Sequence, residues 1–380
     1  MNIKEKAVKT LKPIKVMQFG EGNFLRAFVD YMLDILNEKG NFDGSIAIVK
    51  PISFGSLDMF KEQDNLYTVL LRGKENGKIV NDSRIITSVS KVLDCAEDYE
   101  EYMALAHLDT LRFVVSNTTE AGIVLDKNDT FEGLPATYPG KLTKFLYERY
   151  THFNGDKSKG LVMLPVELID NNGSELKKCV LKYAELWNLE SDFVAWLENE
   201  NHFVNTLVDR IVTGYPNDET KEMHPDDKFL DTAEIFHLWV IEGDFENELP
   251  LKKAGYNVIW TNDVTPYKKI KVRILNGAHT SMVTGAILSG IETVGECMAD
   301  ATVSAFLNKG VNEEILKTIR YLKENYSSDY LKPLIVIIKD TAMVPVRIIA
   351  EAFGCEVRYD GKDNRIIVTK RDDNGAWNID

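Results

Sequence analysis

Three stretches of this chain predict an α/β fold, followed by a mainly helical region and a small α/β tail. The first is Ile14–Phe19, an apolar run that passes through Gly20-Glu21-Gly22 into an amphipathic pattern closed by Gly40. The second is the recurrence of short apolar runs at 45–49, 111–115 and 160–168, each of strand length and separated by helical patterns. The third begins at Thr265-Pro266, where a hydroxyl suited to an N-cap and a proline suited to the first helical position open a long helix. These place domains at 1–230, 231–330 and 331–380.

The chain has 380 residues, 44% of them hydrophobic, enough for two or three domains with ample interior for a buried site. No apolar run reaches membrane-spanning length, and the charged start, Met1 to Lys6, lacks the apolar core of a secretion signal, so a cytoplasmic protein is expected. Cys95, Cys179, Cys297 and Cys355 are far apart and fit neither a disulfide framework nor a zinc cluster. A net charge of -14 argues against nucleic acid as a partner, while leaving room for a small anionic substrate in a local cationic pocket. Nothing in the composition sets the oligomeric state.

In chain order, strand, glycine turn and helix form the opening unit of a Rossmann-type dinucleotide-binding domain. The glycines let the turn tighten and the backbone approach a pyrophosphate, whose charge a helix N-terminus favours. Gly20, Gly22, Asn23 and Phe24 are therefore candidate cofactor contacts. Leu25 stands where the third glycine of G-x-G-x-x-G would fall, so the pattern by itself is incomplete. Arg26 can meet a substrate carboxylate or serve as a solvated helix arginine. The strand at 45–49 ends in Lys50-Pro51, where an acid often binds the ribose hydroxyls; a lysine there can meet a 2′-phosphate, which leaves NAD and NADP both open. Residues 65–93 alternate polar and apolar around Gly73 and Gly77, predicting an inserted hairpin, and 97–108 reads as a helix.

The strand at 111–115 runs into Asn117, Thr118, Thr119 and Glu120. Its carboxyl end faces the nicotinamide side of a crevice, which makes Asn117, Thr118 and Glu120 cofactor candidates by position; a polar loop capping the next element is the other reading. Residues 176–187 and those from Ser191 read as helices, Asp209-Arg210 as an internal ion pair or an anion contact, and 216–225 as a solvated loop.

On the helix from Thr265, ~100° per residue gathers Ile270, Ile274, Leu275, Ala278 and Met282 into one apolar stripe, with Lys271 inside it. The helix is expected to be buried. Asn276 and His279 are surface neighbours, and His279 projects between the directions of Lys271 and Asn276. An amine on an apolar face loses solvation of its charged form and becomes a candidate general base. The amide and imidazole can donate to an oxygen whose charge changes beside it. The other reading lets Lys271 extend to water, Asn276 bend the helix with Gly277, and His279 rest satisfied in the core.

The spacing Lys271-x4-Asn276-Gly277-x-His279 resembles the signature of the polyol-specific long-chain dehydrogenases, the mannitol dehydrogenase family. Gly20, Gly22, Phe24, Arg26 and Ala27 also fit that family's Gly-x-Gly-x-Phe-x-Arg-Ala loop, and the likeness runs from about Ile14 to about Ile319. The resemblance implies NAD as cofactor, hydride exchange between the nicotinamide and a ketone carbon, Lys271 as acid/base, Asn276 and His279 holding the oxygen, and no metal. Members often carry Cys-Asp-Asn after the strand at 160–168, the asparagine helping to bind the reacting oxygen. Pro165-Val166-Glu167 stands here instead, as in a branch acting on sugar acids. This implies Glu167, Asn172 and Arg26 on the substrate side and interconversion of a keto-uronate and an aldonate. The alternatives are fructuronate, a mannitol-type polyol, or a catalytically silent nucleotide-binding fusion protein.

The tail departs from that family. Pro345 opens an amphipathic pattern, Gly354 ends it, and Asp360-Gly361 turns between two strands. The run from Thr341 to Thr369 resembles a copper amine oxidase N-terminal-like module, without a metal constellation, and implies a fusion boundary between Tyr321 and Leu331. The apolar segment 331–338 is expected to pack on a neighbouring element.

Overall fold

The computed structural model describes residues 3–7, 9–75, 78–119, 121–216 and 224–315, together with the backbone of strands at 336–338, 341–343, 355–360, 365–372 and 375–379. Two compact units divide between Val264 and Thr265.

In the first unit, β1 (Ile14–Phe19) passes through the glycine turn into a helix made of α1 (Asn23–Leu25), a π turn at Arg26–Asp30, and α2 (Tyr31–Lys39). There follow β2 (Ser45–Lys50), α3 (Asp58–Glu62), β3 (Tyr67–Glu75), β4 (Lys78–Ile86), β5 (Val89–Asp94) and α4 (Tyr99–Ala104). Then come β6 (Phe113–Ser116), α5 (Tyr138–His152), β7 (Val162–Pro165), α6 (Asn172–Leu186), α7 (Ser191–Glu200) and β8 (His202–Phe203). The six parallel strands lie in the order β5-β2-β1-β6-β7-β8. Numbered by their own sequence this is 3-2-1-4-5-6, the doubly wound dinucleotide order, and it reverses between β1 and β6.

Period-2 alternation sends successive side chains to opposite faces of that sheet. Val16, Ile48, Phe113, Val115 and Leu164 enter one core with α2, while Met17, Phe19, Val49, Val114 and Met163 enter the other with α4 to α7. β2 is buried along its whole length, as a strand covered on both faces should be. Arg149 on α5 is buried and donates to the carbonyls of Lys159, Ala106, Leu108 and Leu111, which satisfies the loops entering β6 and β7.

The inserted hairpin forms as expected, although it ends at Ile86. Val89 and Leu93 are buried, so β5 belongs to the parallel sheet rather than to the hairpin. Asp34 on α2 pins the hairpin by accepting from Arg84 Nε at 2.7 Å and from Thr87 N at 2.6 Å. After β8 the chain returns through β9 (Thr206–Asp209), β10 (Val212–Gly214), β11 (Asp231–Glu234), β12 (Leu238–Glu242) and β13 (Val258–Thr261). These build a sheet ordered β10-β11-β3-β4 and another ordered β13-β12-β9. Val69, Val208, Ala233, Trp239 and Ile241 share the core of α2. This corrects the boundary expected at residue 230: strands after it complete the first unit, which closes only at Val264. Arg210 turns inward, donating to the carbonyls of Ala27 and Glu234, and takes the role of an internal tie rather than an anion contact.

The second unit opens with α8 (Thr265–Ile270), a π turn at Lys271–Asn276 and α9 (Gly277–Leu288). It continues through α10 (Val294–Ala299), α11 (Ala301–Asn308) and a further π segment at Lys309–Ile315. Met282, Ala286, Cys297, Val303 and Leu307 form its small core. α10 starts on a capping box between Thr293 and Glu296.

The tail contributes β14 (Val336–Ile338) paired antiparallel with β15 (Thr341–Met343). β16 (Cys355–Asp360), β17 (Arg365–Asp372) and β18 (Gly375–Ile379) form an antiparallel sheet. The hairpin around Asp360 is the expected one, and β18 adds a strand that the turn signals do not announce. The helix read after Pro345, the fusion boundary, most of 216–225 and Glu120 lie outside the described residues. Among the described residues no helix is long and apolar enough to cross a membrane.

Candidate active site

The switch point between β1 and β6 is where the glycine turn sits. Gly20 N donates to Val49 O and Asn117 N to Phe19 O, so the carboxyl ends of β2, β1 and β6 are tied together there. Gly20 has φ +116°, and a Cβ on it would stand 3.0 Å from Asn117 O, so both conformation and space call for glycine. Gly22 has ordinary extended angles, φ −69° and ψ 165°, and a Cβ there would meet nothing within 4 Å. Its requirement does not come from the protein. The space in front of Gly22 is open, at a helix start with no side-chain cap, a position that favours an anion. Phe24 stacks on Phe28 at 5.0 Å between ring centres and fixes the first turn on the core. Asn23 is exposed and abuts Gly214, where a Cβ would lie 2.3 Å from its Nδ2.

Arg26 is not placed to meet a substrate. It is 3% exposed, donates to Phe229 O and to Asn23 Oδ1, and holds its Cζ over the Phe229 ring, 3.9 Å from the ring centre. Its guanidinium faces Asp231 at 3.7 Å. The substrate role expected for it is therefore corrected: burial turns it into a clamp on the glycine loop. Around it lies a set of buried charges that the sequence did not single out. Burial raises Asp30 to about 7, against the hydrogen bond from Tyr67 and the pull of Gln18 and Arg26. Burial likewise raises Asp231 to about 7, against the attraction of Arg26. One signal was available, since Asp30 directly follows three apolar residues, Ala27, Phe28 and Val29, on the helix.

At the carboxyl ends of β6 and β7, Asn117 and Thr118 are half-buried, and Asn117 donates from its N to Phe19 O beside the turn. Glu167 is 3% exposed and accepts from Ser116 Oγ, Thr118 N and Thr118 Oγ1 at 3.0–3.1 Å. Burial raises its carboxyl above the usual range, while those donors hold it down. Asn172 is 1% exposed, donating to Pro165 O and Glu167 O and accepting from Thr206 N. Neither side chain reaches outward. The substrate contacts expected of Glu167 and Asn172 are corrected to internal ties that set the Thr118 loop, because each finds its partners within the fold.

In the second unit, Lys271 and Asn276 bound the π turn, and His279 follows on α9. A π turn closes its hydrogen-bonded ring on the fifth residue instead of the fourth. Lys271 and Asn276, five apart, are thereby brought onto one side, which an uninterrupted α-helix would not do. The same insertion breaks the apolar stripe drawn at constant pitch. No residue of Thr265–Asn276 is buried; Ile270 is 58% exposed and Leu275 40%, and only Met282 of the stripe is buried. The helix expected to be buried is thus half-open between Thr265 and Asn276. Lys271 and His279 are half-buried and Asn276 exposed, which leaves amine, amide and imidazole on an accessible face.

Comparison with known proteins agrees with this architecture. The mannitol dehydrogenase Rossmann domain matches residues 14–253, and the mannitol dehydrogenase C-terminal domain matches residues 263–338. The copper amine oxidase N-terminal domain matches residues 321–379, overlapping that second match. An altronate oxidoreductase of Enterobacter sp. (strain 638) is 47% identical over 326 residues, covering 84% of this chain and 68% of the relative. One from Escherichia coli O7:K1 is 46% identical, covering 83% of this chain and 67% of the relative. Among solved structures, a substrate-free D-sorbitol dehydrogenase superposes with TM-score 0.67 at 26% identity, covering 80% of this chain and 66% of that one. The Pseudomonas fluorescens mannitol 2-dehydrogenase, in a ternary complex with NAD and D-mannitol, gives TM-score 0.64 at 24% identity, covering 81% of this chain and 65% of that one. The chain thus spans just under two thirds of the length of these solved structures. With a doubly wound sheet, a glycine turn at its switch point and matches over both dehydrogenase domains, the chain belongs to the mannitol dehydrogenase family.

Proposed function

We propose that the protein is an NAD-dependent oxidoreductase that interconverts a keto-uronate and its aldonate, of the tagaturonate and altronate kind. The observation that carries this reading is the 46–47% identity to altronate oxidoreductases. The open cradle before Gly22 supports the nucleotide part. NAD, when bound, supplies the hydride exchange at the carbinol carbon. Gly20, Gly22, Asn23 and Phe24 would hold its pyrophosphate half, and Asn117 and Thr118 the end beside β6.

Lys271 takes the hydroxyl proton during oxidation and returns it to the alkoxide during reduction. Asn276 and His279 donate to that oxygen, stabilising its negative charge in the same place throughout. The π turn supports these roles, because it sets the amine and amide on one side of the helix. We place the reaction in the cytoplasm, where NAD is held.

The test is NADH oxidation measured with tagaturonate, fructuronate and fructose in parallel. Turnover with tagaturonate above the other two is expected. Preference for fructose would return the protein to the polyol dehydrogenases, and no turnover of any despite NADH binding would make it a silent nucleotide-binding protein.

A further inference from the structure

At the end of β2, where a dinucleotide fold usually places an acid, stands Lys50. It is 4% exposed, and its Nζ lies 2.6 Å from Asp94 Oδ2 at the end of the adjacent β5. The other oxygen of Asp94 accepts from Ala96 N at 2.8 Å and Glu97 N at 3.3 Å. Burial works to raise the Asp94 carboxyl, but Lys50 and these backbone donors together bring it below its usual range. Lys50 is therefore neutralised in place and offers no charge to a 2′-phosphate.

A second carboxylate lies against this pair. Glu21, the residue between Gly20 and Gly22, is half-buried. A Cβ placed on Gly55, which has φ +88°, would be 3.6 Å from Glu21 Oε1 and 3.9 Å from Lys50 Cε. Glu21 and Lys50 thus border the same point beside Gly55, which brings the side chain of the glycine loop to the neighbourhood of the end of β2. Lys50 is among the groups that draw the Glu21 carboxyl down, against the burial that raises it. In a dinucleotide fold the hydroxyls of the adenosine ribose face the end of β2, the place that the Glu21 carboxylate borders beside Lys50 and Gly55. The neighbouring loop also exposes Ile52 and Phe54, at 57% and 84%, as apolar surface for a flat base.

We propose that Glu21 replaces the missing acid of β2, accepts hydrogen bonds from the ribose hydroxyls, and selects NAD over NADP, with Asp94 as a positioning residue that holds Lys50 out of reach. This rests on the nucleotide reading given under Proposed function. Glu21, Lys50 and Asp94 carry one net negative charge, which repels a 2′-phosphate while a 2′-hydroxyl can donate to it.

Fluorescence titration with NADH and NADPH tests this on the full chain, with thermal melting run on each variant. The parent should bind NADH more tightly. Glu21→Gln should weaken NADH by about tenfold, as loss of a charge-assisted hydrogen bond does, and leave NADPH equal or tighter. Asp94→Asn should tighten NADPH while NADH changes little, because Lys50 is released. Glu21→Asp, which keeps the charge but shortens the reach, should weaken NADH and still reject NADPH. An unchanged NADH to NADPH ratio in a Glu21→Gln protein that melts like the parent overturns the assignment. A parent that binds neither nucleotide instead sinks the nucleotide reading itself, a distinct result.

Discussion

Lys271 is the residue on which the proposed chemistry turns, and its removal should separate binding from reaction. Lys271→Ala should leave NADH affinity nearly intact and lower turnover roughly a hundredfold or more, the usual cost of losing a general acid/base. Equal turnover in variant and parent would remove it from the mechanism. Asp30 and Asp231 make a different residue-scale prediction. Each rises from an ordinary 3.8 to about 7 through burial, so between those values the folded state holds protons that the unfolded chain has released. Stability contributed by these two protons is complete at acid pH and is lost as pH rises towards 7. Asp30→Asn with Asp231→Asn should therefore flatten the fall of melting temperature between about pH 5 and pH 7.5; an unaltered slope would show that neither group titrates there. These buried charges were hard to read from sequence because their partners are remote. Arg26 finds Phe229, 203 positions away, and that separation hides a clamp inside what looks like a solvated helix arginine.

At the scale of elements, the glycine turn gives two opposite expectations from two glycines one residue apart. Gly20→Val meets a positive φ and a carbonyl at 3.0 Å, so it should lower the melting temperature of the protein without any ligand. Gly22→Val meets open space, so it should melt like the parent and yet fail to bind NADH, as titration would reveal; retained binding would mean that the pyrophosphate lies elsewhere. Strand, turn and helix from Ile14 onward were legible because their signals are local and the periods of two and 3.6 residues are distinct. The hairpin was legible for the same reason. The helix from Thr265 was legible as a helix, but its faces were not. A single π turn shifts the phase of every residue after it, and nothing in Lys271 to Asn276 announces that insertion. The constellation of Lys271, Asn276 and His279 was drawn from a spacing that resembles a family signature, and its role stands as the proposal that the Lys271 variant tests. Glu167 and Asn172 were found as notable residues but given the wrong neighbours.

For the whole molecule, the boundary is the informative feature. Val69 of β3 pairs in parallel with Asp231 of β11, so the sheet that covers α2 joins residues 162 positions apart (231 − 69). Closing so long a loop costs entropy before any contact repays it, and parallel pairing at that separation is slow. The first unit therefore cannot finish assembling as it emerges from the ribosome. β1, β2 and the hairpin are made early, but β3 keeps a bare edge until residues 231–234 arrive to dock on it. A fragment ending at residue 230 should leave that edge open to pairing between chains and should aggregate on expression, whereas one ending at 264 should be soluble and refold. Size-exclusion chromatography of the two fragments distinguishes them, and a monodisperse 1–230 would show that β11 is dispensable. The late strand acts as a latch on synthesis: whatever interrupts translation between residues 86 and 231 releases a product with an exposed sheet edge, the kind of nascent chain a holdase must cover.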